Sequence, residues 1–151
     1  MIFDELATIY SEIDHDYTVK EANARARRYT RIEASYRRKK ELNDQAYFLF
    51  MFTRLEDRIR ELSVDLIENK YRKLTNWNYK RTWDILYSKR EDSIFLLDRV
   101  ALLTKKGQTD YNLIHRYYKQ RNNIAHGKSF TIPIDIGTVV ADMQRLYSDL
   151  G

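Results

Sequence analysis

The chain has 151 residues, 43% hydrophobic and 32% charged, the size and composition of one domain able to bury a core. The absence of Cys excludes disulfides and Cys-ligated zinc or iron–sulfur centres, and one Pro with four Gly leave too few turn residues for an all-β fold. The net charge of +5 is concentrated, because residues 20–41 hold nine Lys/Arg against three Glu, which leaves the rest of the chain near neutrality.

The opening Ile2-Phe3-Asp4-Glu5-Leu6 lacks the basic region and long apolar core of a secretion signal. No apolar run approaches the ~20 residues of a membrane helix, the longest being Ala46 to Phe52. A single cytoplasmic domain over 1–151, without a membrane partner, is expected.

Taken in order, residues 2–13 read as a short helix with Ile2, Leu6, Ile9 and Ile13 at helical spacing, ending in the acidic Glu12, Asp14 and Asp16. Thr18 and Glu21 form a capping-box pattern for a second helix over 19–42. It carries the basic block, with Val19, Ala22, Ala26, Tyr29 and Tyr36 as a thin apolar stripe. Such a run is either a solvated face or a surface for phosphates.

Asn43-Asp44 has the character of a cap, and the strongest periodic signal follows. Phe48, Phe52, Leu55, Ile59, Leu62 and Leu66 step by four and three, which predicts a central helix over 44–71. Its first two turns are apolar all round and need either core or a subunit interface to cover them.

From Tyr71 to Arg81 aromatic and basic residues alternate, as in segments that stack on single-stranded nucleic acid, but connector rings packed on the bundle are the expectation. A short helix over 79–88 follows, with Trp83 and Leu86 inward. Another spans 91–105, with Ile94, Leu97, Ala101 and neighbouring Phe95 and Leu102 on one broad face, ending at Lys105-Lys106-Gly107. Thr109 or Asp110 caps a helix over 110–126, closed by Gly127. Beyond Pro133, Asp135 opens a last helix with Val139, Val140, Met143, Leu146, Tyr147 and Leu150. The fold class is all-α, an antiparallel bundle of five to six helices.

The stretch Arg121-Asn122-Asn123-Ile124-Ala125-His126-Gly127 gathers the chemistry. At ~100° per residue, Leu113, Tyr117 and Ile124 share a core-facing sector, and His115, Asn122 and His126 lie opposite. Arg121 flanks that stripe. An imidazole moves protons near neutrality, a guanidinium holds phosphate, and an amide orients both. With 3 His, 16 Arg and 8 Asn, such a pattern arises by chance in about two chains in a hundred. His15 and His115 read as structural. Lys119 and Lys128, cations flanking the motif, are the candidate nucleic-acid contacts, with solvated Lys as the alternative for Lys128. No metal-ligand spacing and no Gly-rich phosphate loop occurs, so no metal and no cofactor is expected.

The R-N-x-x-x-H pattern at Arg121, Asn122 and His126, late in a helical chain of this length, resembles the HEPN superfamily (higher eukaryotes and prokaryotes nucleotide-binding). The resemblance implies a HEPN-like bundle and a metal-independent endoribonuclease acting as a homodimer, with two motifs forming one composite site. It implies His126 as acid/base, Arg121 as phosphate clamp and Asn122 as the orienting residue. It also suggests bacterial antiviral defence or a toxin–antitoxin pair, with an antitoxin or regulatory protein as partner. One subgroup of that family carries a Tyr two residues after the His; Lys128 stands there in this chain. The alternative is a non-catalytic helical module of the same fold that binds RNA or a nucleotide.

Overall fold

The computed structural model of the chain describes residues 2–150. Six helices make up the fold, in the order α1 (Ile2–Ala26), α2 (Thr30–Lys73), α3 (Trp77–Lys89), α4 (Leu96–Leu103), α5 (Thr109–Ala125) and α6 (Ile136–Asp149), with no strand among the described residues. Two compact units are distinguished, Met1–Phe52 with Gln120–Gln144, and Thr53–Lys119 with Arg145–Gly151, and α2, α5 and α6 contribute to both.

In the first unit, α1 runs through the break expected at 14–18. Nothing there stops a helix, because the segment lacks Gly and Pro and Asp16 pairs with Lys20 one turn later at 2.7 Å. The turn comes instead at Arg27–Tyr29. Arg28 takes a left-handed φ of 58°, and the Tyr29 and Arg28 amides donate to the Ala24 and Arg25 carbonyls at 2.9 and 3.0 Å. That pair of bonds is a Schellman closure built without the usual glycine, so no turn residue announces it in the sequence.

α2 then spans 44 residues, about 66 Å, and absorbs the expected cap at Asn43-Asp44. Asp44 serves across the hairpin, accepting from the Tyr10 hydroxyl at 2.7 Å. Burial, then this bond, push the Tyr10 pKa up; burial also raises that of Asp44, partly offset by the same bond.

The helix pair packs on Tyr10 against Tyr47 (5.6 Å between rings) and Tyr17 against Tyr36 (6.1 Å). This seam, with Phe3 and Ala24 buried, divides the periodic set of α1, whose Leu6 and Ile13 are half-buried. Ile2 and Ile9 are 37% and 47% exposed. The stripe assigned to 19–42 is likewise divided between two helices, and Val19 and Tyr29 face solvent.

Phe48, Met51 and Phe52 are fully buried, each worth about 1.5–3 kcal/mol, while Phe50 on the far side is 59% exposed. Edge-on packing of Phe130 against Phe48 at 5.3 Å adds to this core. At the α6 start, Asp135 accepts from the Thr138 amide and hydroxyl, both at 2.8 Å. Those bonds, the hydroxyl first, hold its carboxyl below the ordinary carboxylate value.

Asp135→Ala should therefore lower stability by about 1 kcal/mol at pH 7, read as a fall in urea midpoint. Because the folded pKa is depressed, this contribution is present above the unfolded value of 3.8 and is lost as pH falls through the folded one. The gap between variant and wild type should close on acidification below that value; a constant gap would show that the charge of the cap is irrelevant.

In the second unit the buried line of α2 runs Leu55, Ile59, Ser63 and Ile67, so the inward positions are Ser63 and Ile67 where the periodicity indicated Leu62 and Leu66, which are half-buried. Ser63 is inside because it meets Arg99. That guanidinium is 4% exposed and donates to Ser63 Oγ (2.9 Å) and to the carbonyls of Arg90 (2.7 Å), Glu91 (2.8 Å) and Ile94 (3.2 Å). It ties down residues 90–95, which is why α4 starts at Leu96 and not at 91, and why Phe95 is 79% exposed before the helix begins.

α3 starts two residues earlier than expected, capped by the Asn76 side chain accepting from the Asn78 amide at 2.9 Å. Trp83 and Leu86 are half-buried, but Trp77 and Tyr79 are not packed connectors; they are 60% and 71% exposed. Met143 in the first unit and Leu146 in the second are both fully buried on α6.

Candidate functional site

The R-N-x-x-x-H run ends α5, close to where its periodicity placed it. Gly127 takes φ 74°, its amide donates to the Ile124 carbonyl at 2.9 Å, and the Lys128 amide donates to the Asn123 carbonyl at 2.9 Å. This is the glycine form of the closure seen at Arg28, and it makes His126 the C-terminal cap residue. His126 keeps the helical bond of its own amide to the Asn122 carbonyl at 3.0 Å.

Arg121 and Asn122 are half-buried, and Arg121 Nη1 donates to Asn122 Oδ1 at 3.2 Å. The amide thereby orients one edge of the guanidinium. His126 is exposed, and among the described residues no hydrogen bond reaches its imidazole. It stands one turn beyond Asn122, about 40° around the helix. Lys128 is exposed beyond the turn. Lys119 is exposed on the part of α5 that belongs to the second unit.

The expected core sector of Leu113, Tyr117 and Ile124 is only partly right. Tyr117 is 3% exposed, but Leu113 and Ile124 are half-buried, and Tyr111, Ile114 and Gln120 are the other buried positions. The buried arc is wider than a 40° sector, so it admits a polar residue. His115 is half-buried with its ring 6.2 Å from Tyr111, a structural contact.

Gln120 is the residue that pattern reading missed. It is 3% exposed, accepts from the Thr131 amide at 2.8 Å and donates to Thr131 Oγ1 at 2.9 Å. Asn123 Nδ2 also reaches that hydroxyl at 3.3 Å. These bonds return the segment after His126 to α5, and Phe130 packs on Phe48 just before Thr131. The loop bearing His126 and Lys128 is thus held at both ends. The available signal was a glutamine one turn beyond Tyr117 on a helix face otherwise apolar.

The basic block has a different architecture from the one expected. It straddles the α1–α2 turn, and most of its cations are engaged there. Arg25 and Arg37 each bridge Glu21 and Glu33 at 2.9–3.4 Å, Lys40 lies 3.6 Å from Glu21, Arg38 pairs with Glu41, and Lys39 sits 4.7 Å from the Tyr36 ring centroid. Exposed pairs of this kind add little stability, but they neutralise the flanks of the hairpin. Arg27, Arg28 and Arg31 are left exposed at its tip.

Among the described residues no group of three or more His, Asp or Glu is placed to hold a metal ion, and no helix is long and apolar enough to cross a membrane. Comparison with protein-family models, with curated proteins and with solved structures gives no match to this chain.

Proposed function

We propose that the chain is a HEPN-type ribonuclease that cleaves RNA without a metal. The observation that supports this most is the arrangement closing α5: Arg121 bonded to Asn122, and an exposed His126 one turn on, in a loop fixed by Gly127 and Gln120. RNA carries its own nucleophile, the 2′-hydroxyl. Cleavage requires a proton taken from it, charge on the phosphoryl oxygens neutralised, and a proton given to the leaving 5′-oxygen. His126 moves the protons, Arg121 neutralises the phosphate, and Asn122 fixes the guanidinium. Lys119 and Lys128, both exposed, add further phosphate contacts.

One imidazole cannot conveniently perform both proton transfers, so the site is completed by a second copy of the chain. The exposure of Phe50 and Ala46, within the run that is apolar all round, supports a face made for self-association. The family resemblance adds a role in bacterial antiviral defence or in a toxin–antitoxin pair, in the cytoplasm, with a regulatory protein as partner.

The test is incubation of the purified protein with labelled RNA in EDTA, beside the same RNA carrying 2′-O-methyl groups. The unmodified strand should yield 2′,3′-cyclic phosphate and 5′-hydroxyl ends and the methylated strand should persist. Cleavage of both strands, or of neither, would remove the reading. Light scattering should give twice the 18.3 kDa chain mass; a monomer at micromolar concentration would remove the composite site.

A further inference from the structure

The second unit carries a surface whose chemistry the cleavage site does not use. Residues 70–90 hold seven Lys/Arg against one Asp. Part of this set serves the fold. Tyr71 and Tyr87 stack at 4.1 Å and 13°, Lys80 lies 4.2 Å from the Tyr71 centroid and Arg90 4.0 Å from that of Tyr87. Arg90 and Arg72 also pair with Glu68. This clasp seats α3 through its half-buried side, which includes Lys80, Trp83, Leu86 and Tyr87.

The other side of α3 is different. Trp77, Arg81 and Ile85 follow one another at four-residue steps and therefore form one line along the helix. Trp77 is 60% and Ile85 56% exposed, while Tyr79, two residues after Trp77 and so about 200° round the helix, is 71% exposed on another side of its first turn. Neither Trp77 nor Tyr79 has a ring contact among the described residues. Lys73 before the helix, Arg81 within it and Lys89 at its end are all exposed, and none pairs with a carboxylate among the described residues.

Large rings left in water are costly to a fold that could have buried them, and here they are interleaved with unneutralised cations. A protein partner with an apolar groove would use Trp77 and Ile85 but would leave the cations without purpose. A polyanion whose units carry flat rings uses both.

We infer that the outer face of α3 is a platform for single-stranded nucleic acid, with a base stacking on Trp77, Ile85 extending the apolar surface beside it, and phosphates drawn to Lys73, Arg81 and Lys89. It recognises the strand by stacking and charge, so RNA and DNA are both ligands. The platform stands apart from the cleavage reading and survives its failure.

Its test uses fluorescein-labelled 12-mers that resist 2′-hydroxyl attack: a 2′-O-methyl RNA, a DNA of the same sequence, and the DNA annealed to its complement. Anisotropy should show both single strands binding, with quenching of Trp77 emission over the residual emission of Trp83. Trp77→Ala should weaken single-strand binding by about 5- to 150-fold and leave duplex binding unchanged, the expectation for one stacked base. Arg81→Glu should weaken binding and lower the salt slope by about 0.7. Both positions are exposed, and circular dichroism checks that the helices persist. No binding by either single strand, or equal affinity in Trp77→Ala and wild type, would overturn the platform. Binding by one strand and not the other would overturn recognition by stacking and charge alone.

Discussion

Replacing His126 by alanine should lower the rate of RNA cleavage by about 10²–10⁴-fold while leaving the melting temperature within a degree or two of wild type. The two halves of this expectation have separate causes. On the reading proposed above, the imidazole carries the protons, so its removal leaves only phosphate binding and orientation. The fold does not depend on it: the side chain is exposed, and the turn that follows is closed by the backbone bonds of Gly127 and Lys128. Single-turnover kinetics beside a thermal melt measure both. Undiminished cleavage by the variant would remove His126 from the chemistry, and a loss of activity matched by a fall in melting temperature would point to a structural effect. Arg121→Ala is a weaker discriminator, because that side chain is half-buried and bonded to Asn122.

Arg99→Met should produce the largest loss of stability, about 1.5–3 kcal/mol, and lower the melting temperature by about 3–12 °C. Met approximates the aliphatic length of Arg and removes only the donors. Ser63 Oγ and the carbonyls of Arg90, Glu91 and Ile94 would then stand without the guanidinium that joins them, and a missing partner for a buried polar group costs about 1–3 kcal/mol. Burial already pushes the Arg99 pKa below its ordinary value, yet the group stays charged, so the fold carries its desolvation in exchange for those bonds. Arg99→Lys should recover only a fraction, because one ammonium cannot span the positions a planar fork reaches. Amide exchange over residues 90–96 should rise before global unfolding; protection equal to wild type would mean that the segment is held by other contacts.

The chain's own residues settled a good deal. An all-helical class followed from the scarcity of Gly and Pro, and α5 and α6 followed from local end signals, Gly127 and Asp135, whose bonds lie within a few residues. The order Arg121, Asn122, His126 at a helix end was legible for the same reason: Asn122 and His126, four apart, are neighbours on a helix whatever surrounds them, and Arg121 adjoins Asn122 in the chain.

What lay beyond the sequence was decided by partners distant along it. The end of α1 falls at Arg28, a left-handed arginine with no turn signal, because the α1–α2 seam of Tyr10, Tyr47, Tyr17 and Tyr36 carries the hairpin past weaker candidate breaks. That seam also left Ile2 and Ile9 at the surface, while Leu6 and Ile13 of the same periodic set are half-buried. Ser63 went inside because Arg99, thirty-six residues on, needs an acceptor there, and Gln120 because Thr131 needs a partner. Trp77 and Tyr79 stayed outside because Tyr71, Tyr87, Lys80 and Arg90 had already filled the seat of α3. Helical periodicity marks which faces can be buried; competition among those faces for a limited interior, resolved only in three dimensions, selects the ones that are.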